Sequence, residues 1–391
     1  MSVKLVLAVD ALSPNPTGIG RYTWELTRRL AEHPEVSPLH FYRNGKWIRS
    51  PETLLQPVTV PVTHGPTDAA ILPLASPRKK PGLRIKWPLA LRQLHLSITT
   101  LAYRNHVFHG PNYFVPEFAN VSVATVHDLS IFKYPETHPA ARLREFEKHF
   151  SASMKRAAHL ITDSEATRQE VISYLGWSAN HITAVPLGVA TTFQPLTAAE
   201  VAPVLARHGL SYKGYCLCIS TLEPRKKITE LLRAYQCLPT PLRTRYPLIL
   251  VGGPGWLSEQ LHADIDRLAA QGWLKYLGFV PEPDLPALYA GARSFVYPSI
   301  YEGFGLPVLE AMASGVPVVT SCFTSLPEVT QGAAQLVNPD DIEALAGAIT
   351  ISLCDEAWRD AASLRGRQVA AGYSWQRCIE QTVSVYKTIA S

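Results

Sequence analysis

The chain opens on a short, nearly unbroken apolar stretch, Val3–Val9, and the period of the pattern then changes. Beyond the loop Thr17-Gly-Ile-Gly-Arg-Tyr22, the residues Ile19, Tyr22, Leu26 and Leu30 recur at helical spacing, which predicts a helix to about His33. The same alternation continues. Leu39–Arg43, His106–His109, Val121–Val126, His159–Thr162 and Ile182–Val185 read as strands with helices between them. Short apolar strands alternating with helices imply parallel strands joined by crossovers.

Between Leu187 and Tyr212 the pattern breaks, and a second series follows. Tyr215–Ser220, Leu248–Val251, Lys275–Phe279, Arg293–Tyr297 and Val316–Thr320 read as strands. Ile228–Leu238, Leu257–Ala270, Leu285–Gly291, a segment from about Ile342, and Ser374–Ala390 read as helices. The expectation is an α/β chain of two doubly wound parallel-sheet domains, 1–190 and 213–372, joined by a linker at 191–212. Ligands bind outside the carboxyl ends of such strands, so the cleft between the two sheets is the expected site.

A length of 391 residues, 47% of them apolar, supports a core in each domain. No run approaches the roughly 18 apolar residues of a membrane span. The first ten residues read as a strand, too short and too acid-terminated for a signal peptide. Cys216, Cys218, Cys237, Cys322, Cys354 and Cys378 lack metal-ligand spacing, so no metal is expected. Cys216 and Cys218 share a face of a buried strand, and a reduced, cytoplasmic chain is expected.

The net charge of +5 is unevenly placed. No acid occurs between Asp68 and Glu117, a stretch holding Arg78, Lys79, Lys80, Arg84, Lys86, Arg92 and Arg104, with Trp87 among them. The segment 78–104 is therefore a candidate surface for anionic lipid, consistent with peripheral attachment to the inner face of the cytoplasmic membrane. No nucleic-acid recognition motif accompanies it, and a nucleic-acid partner is not expected.

The candidate chemistry centres on Pro298-Ser-Ile-Tyr-Glu302-Gly-Phe-Gly-Leu-Pro-Val-Leu-Glu310-Ala-Met-Ala-Ser-Gly315. A strand ends at Pro298, Gly303 and Gly305 make a tight loop, Pro307 suits a first helical turn, and Gly315 suits the stop. Glu302 is placed to accept from sugar hydroxyls and Glu310 to hold a ribose. The N–H groups of Gly303, Phe304, Gly305 and Leu306 between them form an anion site.

Glu223-Pro-Arg225-Lys226-Lys227 precedes another helix, where the dipole disfavours cations, so an anionic ligand is implied. Gly18-Ile-Gly20-Arg21 opens the first helix. It fails as a dinucleotide fingerprint, because Thr23 takes the third glycine position and no acid ends the second strand. His127-Asp128 and His109-Gly-Pro-Asn112 end strands, where cleft residues belong. No Gly-x-Ser-x-Gly elbow supports a serine hydrolase. Gly252 and the Gly278-Phe-Val280-Pro turn end two strands of the second domain, and Asp284 suits a helix N-cap.

Together these strings resemble the retaining GT-B glycosyltransferases, in particular glycosyltransferase family 4, over nearly the whole chain. The resemblance implies two facing Rossmann-like domains, with the last helix, from Tyr373-Ser-Trp375 through 391, crossing back onto the first. It implies metal-independent transfer from a nucleotide sugar with retained anomeric configuration. By that likeness, His127 faces the transferred sugar, and Arg225 and Lys226 hold the diphosphate. Gly18, Gly20, Gly252, Val280, Glu302, Gly303, Phe304, Gly305, Leu306 and Glu310 complete the donor site. Arg21, His109, Asn112 and Asp128 are placed toward the acceptor. Ser220 stands where many members carry Arg, and Lys227 where many carry Asn. His109-Gly-Pro-Asn-Tyr and Thr125-Val-His-Asp-Leu are similar to bacterial O-antigen and exopolysaccharide mannosyltransferases. A GDP-sugar donor and a saccharide or lipid-linked saccharide acceptor follow. The competing readings are a UDP-sugar donor, a nucleotide-sugar 2-epimerase, and a non-catalytic sugar-nucleotide-binding subunit.

Overall fold

The computed structural model describes residues 2–14, 18–56 and 102–390. Arg78, Lys79, Lys80, Arg84, Lys86 and Arg92, the heart of the expected lipid-facing segment, lie outside the described residues.

The first sheet has seven strands: β1 (Val3–Ala8), β2 (Val36–Arg43), β3 (Lys46–Ile48), β4 (Val107–Gly110), β5 (Val121–Val126), β6 (His159–Thr162) and β7 (Ile182–Ala184). Their order is β3-β2-β1-β4-β5-β6-β7, all parallel except the edge hairpin of β3 on β2. The second sheet is β8 (Cys216–Ile219), β9 (Leu248–Val251), β10 (Leu274–Tyr276), β11 (Ser294–Tyr297), β12 (Val318–Ser321) and β13 (Ala334–Val337). Its order, β10-β9-β8-β11-β12-β13, is fully parallel. The central strands are buried along their length, as sheets covered on both faces require. Both sheets are doubly wound, and each reverses its order beside its first strand. That places the crevices at the carboxyl ends of β1 and β4, and of β8 and β11. The expected α/β architecture is the observed one.

Residues 191–212 carry a helix, Ala198–Arg207. It starts with a capping box: Thr197 Oγ1 accepts from Glu200 N, and Glu200 accepts from Thr197 N at 2.7 Å. Val201 and Leu205 are buried in the main core, and Phe193 packs edge-on against Tyr289 of the second domain at 5.5 Å. Asp284 precedes the helix Leu285–Gly291 without capping it through its side chain. Its carboxylate instead receives Arg207 at 2.6 Å and His208 at 3.0 Å.

Asp355 separates the helices Ile342–Cys354 and Glu356–Ala370, capping the second through the N–H of Trp358. The final helix, Trp375–Ala390, then returns to the first domain. Ser374 bridges to Val189, Lys387 reaches Glu35 at 2.6 Å, and Tyr386 lies fully buried beneath β4 and β5. No helix among the described residues is long and apolar enough to cross a membrane.

Candidate active site

The loop from β11 delivers Glu302 to the cleft, and Gly305 turns the chain into the helix Leu306–Ala313. Gly315, at φ +70°, stops that helix. Glu302 Oε1 accepts from Lys226 Nζ and from Tyr297 Oη, the latter at 2.9 Å. Its Oε2 lies 3.3 Å from Arg225 Nη1. Burial alone raises a carboxyl pKa, but the charges of Lys226 and Arg225 outweigh it and hold Glu302 at about 2. Glu302 is therefore a fixed anion that aligns two cations.

Those cations come from a short turn after β8. Lys226 is buried, donates to Tyr297 Oη at 2.8 Å and sits over the Tyr297 ring. Arg225 donates to the Tyr301 carbonyl at 2.7 Å and lies 3.3 Å from Glu223. Burial opposes the charge of Arg225, yet Glu302, Glu223 and Asp128 raise its pKa further. Lys227 points elsewhere, pairing with Glu230 at 3.2 Å and Asp340 at 2.7 Å. Ser220 Oγ is buried without a partner among the described residues. Gly252 lies directly beneath: a Cβ there would meet the Ser220 carbonyl at 1.9 Å, so its requirement for glycine is steric.

The first domain meets this loop through the end of β5. Gly303 presses so closely on His127 that a Cβ would sit 1.7 Å from the His127 carbonyl oxygen. Only glycine fits that approach. The His127 ring is buried, with Nε2 donating to the Pro111 carbonyl at 2.7 Å and Nδ1 facing Asp163 Oδ2 at 2.7 Å. Burial disfavours its charge, but Asp163 raises its pKa overall. Asp128 accepts the Ser130 N–H at 2.8 Å. Burial would raise its carboxyl pKa, but Arg225 across the cleft lowers it overall.

Glu310 is buried and fully engaged. Oε1 receives Arg21 Nη1 at 2.6 Å and Oε2 receives Tyr289 Oη at 2.8 Å. Burial raises its pKa, with Arg21 opposing. Gly18, Gly20 and Arg21 occupy the first turn of the helix Gly18–Ala31. A cavity of about 260 Å³ beside them is lined by Arg21, Trp24, Glu282, Leu306, Glu310 and Trp375, among others. A larger one, about 390 Å³, lies at the crossover near Pro186, Tyr373 and Arg377. None of the expected site residues lines it.

The cleft thus gathers Arg21, His127, Asp128, Arg225, Lys226, Glu302, Gly303 and Glu310. Phe304 and Val280 bury their side chains in the core, leaving only their backbone for a ligand. Asn112 is half-buried, with Oδ1 unpartnered among the described residues. His109 needs correction as an acceptor contact. It is fully buried, with Nδ1 on Tyr386 Oη at 2.6 Å and Nε2 on Thr125 Oγ1 at 2.8 Å. It fastens the final helix instead. Three partners were missed: Tyr297, Tyr289 and Asp163. Asp163 alone had a visible signal, ending β6 as His127 follows β5. Among the described residues, no cluster of His, Cys, Asp and Glu is arranged to hold a metal ion.

The model of Glycosyltransferase Family 4 matches residues 16–193, and that of Glycosyl transferases group 1 matches residues 208–369. The O-antigen chain mannosyltransferase B of Escherichia coli is 41% identical over 99% of this chain and 100% of its own length. The chain belongs to glycosyltransferase family 4. A second relative of this glycosyltransferase, the MMP alpha-(1->4)-mannosyltransferase of Mycolicibacterium hassiacum, is 30% identical over 68% of this chain and 64% of that one. Among solved structures, sucrose-phosphate synthase from Thermosynechococcus elongatus superposes with a TM-score of 0.70 at 21% identity, covering 99% of this chain and 98% of that one. WaaG, a glycosyltransferase involved in lipopolysaccharide biosynthesis, does so at 0.69 and 15% identity, covering 98% and 99%. Both are glycosyltransferase folds of two facing α/β domains, and the architecture here is the same GT-B fold.

Proposed function

We propose that this glycosyltransferase moves mannose, or a related deoxyhexose, from a GDP-sugar onto a saccharide acceptor in lipopolysaccharide O-antigen synthesis, with retention of configuration. The 41% identity to an O-antigen chain mannosyltransferase, over the full length of both chains, carries the reading. The site chemistry supports the transfer. Departure of a nucleoside diphosphate leaves negative charge, and Arg225 and Lys226 stand ready to meet it, with the loop N–H groups of Gly303–Leu306 beside them. Glu302 holds both cations in line and offers oxygens to sugar hydroxyls.

In this reading Glu310 receives the ribose once Arg21 yields to the incoming nucleotide. The acceptor hydroxyl attacks on the face that the diphosphate leaves, and a phosphate oxygen takes its proton. Positioning and fixed charge then supply most of the rate enhancement. No metal is needed to neutralise the leaving group, an expectation checked by full activity in EDTA. The acceptor is a lipid-linked saccharide, and residues 78–104 bring the enzyme to the membrane that carries it. Replacing Arg78, Lys79 and Lys80 should then reduce co-sedimentation with anionic vesicles.

A thermal-shift screen with GDP, UDP, ADP and dTDP, without metal, tests the donor. A ligand that binds the folded state raises the melting temperature by mass action. A shift with GDP alone supports the reading. A shift with UDP alone overturns the donor and favours the UDP-sugar alternative.

A further inference from the structure

The helix Glu165–Leu175 of the first domain begins against the second domain. Its N-cap, Ser164, satisfies the Thr167 N–H at 3.1 Å. The N–H groups of Glu165 and Ala166 are met from across the cleft, each by one oxygen of Glu328 at 2.9 Å. Beside this contact, the hydroxyls of Ser164 and Thr167 donate to the carbonyl of Gly303 at 2.7 and 3.2 Å.

Gly303 directly follows Glu302. From the second domain, Thr324 Oγ1 accepts the Glu302 N–H at 3.1 Å, and the one proton of Ser325 Oγ is shared between the carbonyls of Glu302 and Phe304, at 2.9 and 2.8 Å. The segment 324–328 thus holds the catalytic loop with one end and the first domain with the other. Among the described residues, the carbonyl of Gly303 is the one point of that loop held by first-domain hydroxyls, and those hydroxyls reach it only when the domains meet.

We propose that Ser164, Thr167 and Glu328 are positioning residues for glycosyl transfer. Closure seats the Gly303 peptide on the start of this helix and thereby fixes the direction of the loop N–H groups and of Glu302. The proposal rests on reading 302–306 as the donor loop. None of the three residues needs to touch substrate. A loop displaced by an ångström or so loses more rate than nucleotide affinity: Arg225 and Lys226, on a different turn, still hold the diphosphate, while Glu302 and the loop N–H groups lose the alignment that transfer requires.

The test is steady-state transfer from GDP-mannose together with GDP affinity by thermal titration. Thr167→Val keeps the shape and removes the donor. Ser164→Asp keeps a capping oxygen but cannot donate to a carbonyl. Glu328→Gln keeps the size and removes the charge. The expected result is a fall in kcat of about 10-fold or more for each, with a clearly smaller loss of GDP affinity. Thr167→Ser, which restores a hydroxyl, should recover most of the rate. A kcat within about 2-fold of wild type for all three, or a loss in Thr167→Val that Thr167→Ser fails to recover, overturns the proposal. If wild type turns over only a UDP-sugar, the GDP donor falls, and the same comparison with that sugar still decides this proposal.

Discussion

Arg21, in the first helix of one domain, donates to Glu310 of the other domain at 2.6 Å, so the carboxylate assigned to the donor ribose already has a partner across the cleft. An arginine that must leave before the ribose arrives links nucleotide binding to domain geometry. Arg21→Ala and Glu310→Ala should each weaken donor binding. Because the two side chains meet directly, their effects should not add: the double variant should depart from additivity by about 0.5–3 kcal/mol. A double-mutant cycle on nucleotide-sugar Kd measures this, and strict additivity would show that the pair is not coupled in binding.

Lys226 lies between Tyr297 and Glu302, which are its hydrogen-bond partners among the described residues. Lys226→Met keeps most of the apolar stem and removes the charge. Glu302 retains Arg225, so the fold should persist. The expected loss in kcat is about 10²–10³-fold, the size seen when one charge-stabilising donor is removed. Near-native turnover in a folded Lys226→Met protein would take this lysine out of the diphosphate site.

Glu302 also gives the fold a pH signature. Its carboxyl is held at about 2, below its ordinary value of 4.5, chiefly because the lysine and arginine charges outweigh burial. The unfolded chain therefore takes up this proton first as the medium is acidified. The contribution of Glu302 to stability is complete above about pH 4.5 and is lost as the pH falls from there toward 2. Glu302→Gln should be less stable than wild type at pH 7, and the gap should narrow through that window. Melting curves from pH 7 to pH 3 measure it, and a gap independent of pH would show that the carboxylate is not held by its neighbours.

His109 gives the opposite kind of test, for a residue assigned to structure and not to sugar. Burial pushes its pKa down to about 3 from 6.5, so the folded ring stays neutral while the unfolded ring takes a proton. The stability it contributes is full above pH 6.5 and is lost as the pH falls toward 3. Tyr386→Phe removes its Nδ1 partner and leaves a buried nitrogen unsatisfied, at a cost of about 1–3 kcal/mol. Chemical denaturation should show that loss, and hydrogen exchange should show the final helix loosened, with KM for the acceptor unchanged. A rise in acceptor KM without loss of stability would return His109 to the acceptor site.

Much of the catalytic loop was legible because local rules dictate it. Gly305 and Gly315 both adopt positive φ, and the helix between them starts and ends where the sequence places it. The strand alternation likewise implied the parallel strands of both sheets, since parallel strands need long crossovers, but not the strand orders or the edge strands β3 and β13. What stayed hidden depends on contacts remote in sequence. His109 sits at the end of a strand like any cleft residue, but its partner lies 277 residues away on a helix whose return only the family likeness implied. Tyr297 reads as one more apolar strand residue, because only its hydroxyl reveals its role, and that hydroxyl meets a lysine 71 residues earlier. The helix Ala198–Arg207 was legible in principle. Its Thr197-to-Glu200 capping box marks a helix start within a stretch that otherwise reads as linker.

The central claim is mannosyl transfer with retention, and the product tests it most directly. The purified protein is incubated with GDP-mannose, EDTA and a lipid-linked saccharide acceptor, and the new linkage is read by NMR. The account predicts acceptor-dependent release of GDP and a product whose new sugar keeps the α configuration of the donor. An inverted product, or release of nucleotide only from a UDP-sugar, would contradict it.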